Sequence, residues 1–199
     1  MIAYKLLDQE LKSNDGQFQW EIGKEYTIDK PGNKMCSDEV FHCYNNPLLA
    51  VLFNPIHVNI ENPRLFEIEV PEFVNNDQLK YSSKSQKLIK EIDLPVISTE
   101  QRVEFAIRVT KIVCKDEAWN AWADRWLNGE DRTGPSAYAA YAAANRGAAD
   151  TAYSAYASVF VDNFAYAAAV YYTAHAAEYV ANGVTNDDFI RIIEEIMNR

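Results

Sequence analysis

An alanine- and tyrosine-rich segment, residues 136–181, constrains the fold more than any other part of the chain. It is an imperfect repeat of three units, which begin with Ala-Tyr at Ala137, Ala152 and Ala165. Alanine has the highest helix propensity, and small side chains let helix axes approach closely. The repeat therefore predicts a bundle of three short helices, with joints at residues 147–150 and 162–163.

The composition changes near residue 97. Six of the seven prolines and most of the alternating apolar patterns lie before that point, and the alanine-rich region lies after it. Strands followed by helices are typical of an α+β fold. We expect a small, mostly antiparallel β-rich domain over residues 1–97 and a helical alanine–tyrosine bundle over residues 98–199.

Several short segments of the first part have the pattern of strands or turns. Leu65–Val70 alternates most clearly, with apolar residues on one face and two glutamates on the other. Lys30–Asn33 has the composition of a turn. Tyr81–Ile92 carries lysines and is predicted to be a sheet edge protected against further pairing. Further strands are predicted at Ile2–Leu7, Phe18–Ile22 and Val40–Tyr44.

Four other helices are predicted, and capping residues mark the starts of three of them. The predicted N-caps are Asn46, Ser98 and Thr185, and the fourth helix is predicted over Asp116–Leu127. Ser98 and Gln101 have the spacing of a capping box. Apolar residues follow at helical spacing, and the clearest stripes are Trp119, Trp122, Ala123 and Trp126, then Phe189, Ile192, Ile193 and Ile196.

The net charge and the cysteine content limit the partners and the compartment. The formal net charge is −10, which excludes free nucleic acid as a partner because phosphate binding needs clustered Lys and Arg. An acidic surface keeps a protein soluble or complements a basic protein surface. The chain has three cysteines, no signal-peptide pattern and no long apolar run. We expect a soluble cytoplasmic protein without a membrane partner.

The residue types that bind metals do not form a recognisable site. Cys36, His42, Cys43 and His57 are close in the sequence, but their spacing matches no common structural zinc pattern. Neighbouring strand residues also point to opposite faces, so His42 and Cys43 are poorly placed to share an ion. We predict structural histidines, no metal site and no cofactor, since no phosphate-binding glycine loop is present.

Glu67 and Glu69 resemble the paired glutamates of ADP-ribosyltransferases, in which a Glu-x-Glu element lies beside a bound nicotinamide cofactor. The preceding Phe41-His42 has a loosely similar place in the order, whereas the usual Ser-Thr-Ser strand is missing. Alternation alone also predicts that both glutamates face solvent. An enzyme of that class, with Glu67 and Glu69 as its catalytic residues, is therefore an alternative interpretation.

A longer pattern covers about half of the chain. Phe18–Tyr26 contains Gly-Lys-x-Tyr, Cys36 follows, and Phe41–Pro47 contains Phe-His-x-Cys and Asn-Pro. This pattern resembles a domain of unknown function found in phage and prophage accessory proteins. The chain departs from it at Val40, where that family usually has glycine. The resemblance implies a phage-linked origin and provides no active site to transfer.

Eight of the twelve tyrosines lie between residues 138 and 179. Tyrosines either fill gaps inside such a bundle or, when exposed and rigid, anchor a protein partner. The candidate partner-binding residues are Tyr138, Tyr141, Tyr153, Tyr156, Asp150 and Asp162. We expect a phage accessory protein that binds and inhibits a bacterial host complex, in its specific form an anti-CRISPR or other anti-defence inhibitor of a nucleic-acid-binding effector. A virion structural or assembly protein is a second alternative, and a homo-oligomer stays open.

Overall fold

The computed structural model describes residues 1–13, 16–29, 32, 34–35, 37–160 and 163–199. Within these residues the chain divides into two compact units, Met1–Val96 and Ile97–Arg199. The first unit contains antiparallel strands and one helix, and the second is helical, so the predicted α+β class is confirmed. Four sequence predictions fall wholly or partly outside the described residues: the turn at 30–33, Cys36, the joint at 162–163 and Asp162.

Short strands build most of the first unit. In chain order they are β1 (Ile2–Leu7), β2 (Lys12–Ser13), β3 (Phe18–Gln19), β4 (Glu25–Thr27), β5 (Phe41–Cys43), β6 (Arg64–Glu69), β7 (Asn75–Asn76), β8 (Tyr81–Ser83) and β9 (Ser85–Ile92). One helix, α1 (Pro47–His57), lies between β5 and β6 and packs against β1.

The largest sheet of this unit has the antiparallel order β1-β6-β9-β4. The alternation of β6 places Phe66 and Ile68 in a core that also contains Trp20 and Leu88. A smaller sheet has the order β5-β8-β7, and β2 pairs with β3 as a hairpin. Val40, where the sequence resemblance leads us to expect glycine, is buried and does not adopt a left-handed backbone conformation.

The prediction of one edge strand over Tyr81–Ile92 is wrong. The segment forms two strands, and β9 lies between β6 and β4. Lys87 is paired across the sheet with both Glu69 and Glu25, so the lysines of β9 face carboxylates rather than guarding an open edge. Opposite charges at such positions favour pairing.

Helices build the described part of the second unit. They are α2 (Thr99–Val113), α3 (Glu117–Leu127), α4 (Gly134–Ala143), α5 (Arg146–Ala157), α6 (Asn163–Val180) and α7 (Asn186–Met197). A 3₁₀ turn, Ala181–Gly183, joins α6 to α7. Within the part of the chain that the structure describes, no helix is both long enough and apolar enough to cross a membrane.

The predicted helix caps are confirmed. The side chain of Asn46 accepts a backbone N–H bond in the first turn of α1. Asp116, predicted as the first residue of a helix, is the N-cap of α3 and accepts a backbone N–H bond there. Ser98 and Thr185 begin α2 and α7 with full capping boxes. The tryptophan stripe of α3 is buried in one core with residues of α2, α4 and α5. There the indole Nε1 of Trp119 donates to the carbonyl of Ala148 at 2.9 Å.

The three alanine–tyrosine units form α4, α5 and α6, but the predicted joint at 147–150 is wrong. The break falls at Ala144–Asn145, and Gly147 lies in the first turn of α5. Gly147 serves a close approach to α6, because a Cβ there would lie 3.0 Å from the Tyr179 ring and 3.3 Å from Val180. Asn145, with an extended backbone, occupies the N-cap position instead.

Candidate functional site

Four of the predicted partner-binding residues come together on the α4–α5 pair. Tyr138 and Tyr141 are three residues apart on α4, and Tyr153 and Tyr156 have the same spacing on α5. Residues at this spacing share one face of a helix. Because the two helices pack side by side, the two tyrosine faces meet.

The four rings form a closed arrangement, which we call the tyrosine cluster. Ring centroids are 5.9 Å apart for Tyr138–Tyr141, 5.2 Å for Tyr141–Tyr153, 5.9 Å for Tyr153–Tyr156 and 5.4 Å for Tyr156–Tyr138. All four pairs are tilted or edge to face, the geometries that aromatic rings prefer. Each ring therefore restricts the orientations of two others.

The cluster is open to solvent on its α4 side. Tyr138 and Tyr141 are exposed, whereas Tyr153 and Tyr156 are half-buried. Within the described residues, no other protein group forms a hydrogen bond with any of the four hydroxyls. The cluster thus offers ordered aromatic area together with hydroxyls that can donate to or accept from a partner.

Further aromatic rings extend the cluster in two directions. Tyr172 of α6 lies edge to face on Tyr153 at 4.5 Å, and the exposed Phe160 lies edge to face on Tyr156 at 5.1 Å. The exposed Tyr171 contacts Tyr172 at 5.4 Å. The result is a continuous aromatic surface contributed by α4, the end of α5 and α6.

Asp150, the fifth predicted site residue, is connected to this surface through His175. Its Oδ2 lies 2.9 Å from Nδ1 of His175, and the His175 ring stacks on Tyr171 at 5.7 Å. Burial raises the pKa of Tyr172 above its ordinary value, and the neighbouring Tyr153 and Asp150 raise it further. Asp150 is half-buried, and its carboxylate orients the His175 ring. The predicted Asp162 lies outside the described residues.

Glu67 and Glu69 lie within the largest antiparallel sheet of the first unit. Both lie on β6, whose neighbours β1 and β9 pair with it on either side. Glu67 forms an ion pair with Lys90 of β9 at 3.2 Å, and Glu69 is exposed. The alternation of an amphipathic strand explains the positions of both glutamates without a catalytic role.

The described residues considered for zinc lie on β5 and at the end of α1. His42 and Cys43 are consecutive on β5, and Cys43 is buried in the core beside Phe66. Burial raises the pKa of the Cys43 thiol to about 12, so the thiolate that a metal requires is disfavoured. Nδ1 of His57 lies 2.6 Å from the Tyr44 hydroxyl. Among the described residues, no group of three ligand side chains is placed to hold a metal ion.

Sequence reasoning missed several residues of the aromatic surface. Tyr172 and His175 lie in the third repeat unit at the spacing of one helical turn, which was the available signal. The opening tyrosine of that unit, Tyr166, is exposed but lies outside the cluster.

Comparison with known proteins gives a family for the N-terminal half. Residues 1–100 match a family described as a domain of unknown function, DUF7666. The chain belongs to this family. The matched region of this DUF7666 protein covers the whole β-rich unit, whereas the tyrosine cluster lies beyond it. No curated protein and no solved structure is significantly similar to the chain.

Proposed function

We propose that this DUF7666 protein is a phage-encoded accessory protein whose helical unit binds and inhibits a bacterial host protein complex. The observation that carries the proposal is the tyrosine cluster. Its two exposed rings are held in place by two half-buried ones. An anchor that is ordered before binding loses little conformational entropy in the complex.

The chemistry of the surface favours a protein partner. Tyrosine is enriched among the residues that carry most of the binding energy at interfaces. Contiguous exposed apolar area is uncommon on monomeric soluble proteins and marks interaction sites. Tyr138, Tyr141, Phe160 and Tyr171 supply such area next to hydroxyls that have no partner in the described residues.

The charge of the chain favours a basic surface on the partner. A net charge of −10 attracts basic proteins over a distance that shortens as salt increases. Nucleic-acid-binding defence effectors have basic surfaces of this kind. An acidic inhibitor that covers such a surface acts in the host cytoplasm. It inhibits by binding alone, without a cofactor or a catalytic step.

Plasmid transformation of a bacterium with an active CRISPR system tests the inhibitory part. Expression of the wild-type chain is expected to restore transformation by a targeted plasmid. The Tyr138→Ala/Tyr141→Ala variant is expected to lose that effect. Tyr166→Ala is a matched control, because Tyr166 is 54% exposed and Tyr138 is 52% exposed. Equal restoration of transformation by all three proteins would show that the tyrosine cluster is not needed for inhibition.

A virion structural or assembly role is distinguished by particle size. The host-binding proposal expects a monomer or small oligomer by light scattering of the purified chain. Large assemblies that form without a partner would favour the virion role instead.

A further inference from the structure

The first unit contains a cleft of about 900 Å³ that the proposed function does not use. This volume is in the range of sites that bind small organic molecules. Phe18 and Phe41 line it, their rings edge to face at 5.3 Å. Two lysines, Lys5 and Lys80, also line it.

Lys5 is an unusual residue for its position. It lies on β1 between Ala3 and Leu7, on the face that packs into the core, and only 7% of it is exposed. Its Nζ donates to the backbone carbonyl of His42 at 2.6 Å and lies 4.8 Å from the centroid of the Trp20 ring. Within the described residues, no carboxylate forms an ion pair with it.

Lys80 adds a second buried positive charge. It is 8% exposed, and its nearest carboxylate oxygen, on Asp77, is 3.9 Å away. The other oxygen of Asp77 accepts the backbone N–H groups of Leu79 and Lys80. Asp77 is therefore a weak partner for this ammonium group.

Among the described residues, no other titratable group of the cleft forms an ion pair with either lysine. Burial first, and then the charges of Lys5 and Lys80, lower the pKa of His42 to about 4. Asp8 accepts the backbone N–H groups of Glu10 and Lys12 with one oxygen. Asp38 and Glu61 are exposed at the rim, and the ammonium of Lys12 pairs with Glu10 at 2.5 Å.

We propose that this cleft binds a small organic anion, with Lys5 and Lys80 as counter-charges for its oxyanion group and Phe18 and Phe41 against its apolar body. A buried charge is costly unless it is paired, and a bound oxyanion supplies the missing partner. The remaining N–H donors of the two ammonium groups suit carboxylate and phosphate oxygens equally. The net charge of the chain is −10 and does not attract anions. An anion in this cleft is therefore held by Lys5 and Lys80 themselves.

Calorimetric titration of the full chain with three probes of one ring size tests the proposal. Phenyl phosphate and benzoate carry the two oxyanions, and benzyl alcohol is the neutral comparison. We expect at least one anion to bind and benzyl alcohol to bind at least about tenfold more weakly. The tighter of the two anions identifies the head group.

Variants separate the buried lysines from general charge. Lys5→Met and Lys80→Met are each expected to weaken anion binding at least about tenfold. Lys12→Met, at the same cleft but already paired, is expected to change it less than about twofold. If Lys5→Met does not fold, Lys80→Met decides alone. No binding to the wild type at about 10 mM, or an unchanged dissociation constant in Lys80→Met, would overturn the proposal.

Discussion

Tyr141 and Tyr153 lie on different helices, edge to face, with ring centroids 5.2 Å apart. Tyr141 is exposed and Tyr153 is half-buried, so one ring supports the bundle while the other is presented to solvent. The tyrosine cluster therefore contributes both to the stability of the bundle and to its surface. Stability measurements on single variants distinguish the two contributions.

Replacing the inner and outer tyrosines by alanine is expected to have unequal effects on stability. Tyr153→Ala removes ring contacts with Tyr141, Tyr156 and Tyr172 and is expected to cost about 2–3 kcal/mol in the free energy of unfolding. Tyr138→Ala, at an exposed ring, is expected to cost less than about 1 kcal/mol. Urea denaturation followed by circular dichroism measures both. Equal losses would mean that Tyr138 is part of the scaffold.

Gly147 is expected to tolerate no branched side chain. Gly147→Val places a Cβ against Tyr179 and Val180 at the α5–α6 crossing and is expected to cost about 1–3 kcal/mol. Ala142→Val, at an exposed position of α4, is the control for a valine in a helix away from the crossing. Valine has a higher helix propensity than glycine, so propensity alone does not destabilise Gly147→Val. Thermal denaturation compares the two. An equal decrease in Tm would show that the crossing has spare room.

Acid is expected to destabilise the first unit through its two half-buried histidines, His42 and His57. Burial is the main cause that lowers the pKa of His42 to about 4 and of His57 to about 3, from an ordinary value of 6.5. Between about pH 4 and 6.5 the unfolded chain thus binds protons that the folded chain does not, and the free energy of unfolding falls as the pH falls. The stability is fully present above about pH 6.5.

The variant His57→Gln isolates one of these protons. It is expected to reduce the dependence of the free energy of unfolding on pH by up to about 1.4 kcal/mol per pH unit in that window. Urea titrations from about pH 4.5 to 7 measure the slope. A slope identical to that of the wild type would contradict the assignment.

The ADP-ribosyltransferase interpretation has its own test. Because Glu67 pairs with Lys90 on the sheet face, we expect no transfer of label from NAD to proteins of a host lysate. Glu67→Gln is expected to change the free energy of unfolding by less than about 1 kcal/mol, because its partner Lys90 is exposed and such ion pairs contribute little. Transfer that disappears in Glu67→Gln and in Glu69→Gln would establish the enzyme instead.

Local signals in the sequence predict much of the fold. The caps Asn46, Ser98 and Thr185 and the tryptophan stripe of α3 depend on interactions within a few residues, and each is found where it was expected. The position of β9 depends on β4, which lies some sixty residues earlier, and the role of Gly147 depends on α6. Pairings of this range leave no local pattern.

The candidate sites show the same limit. The i, i+3 spacing brings the tyrosines of each helix to one face, but only the packing of α4, α5 and α6 joins Tyr138 to Tyr156 and Tyr153 to Tyr172. Lys5 occupies an inward position of β1, which its alternation with Ala3 and Leu7 would have indicated. Its cleft contains residues from α1, β5 and the segment before β8, and only tertiary packing brings these segments together.

The most direct measurement is the affinity of the chain for a stoichiometric partner isolated from a bacterial host lysate. We expect this partner to bind through a basic surface and to bind less tightly as salt increases. We expect Tyr138→Ala/Tyr141→Ala to raise the dissociation constant at least about tenfold, and Tyr166→Ala to change it less than about twofold. The absence of such a partner, or equal affinities for the wild type and the double variant, would contradict the proposed function.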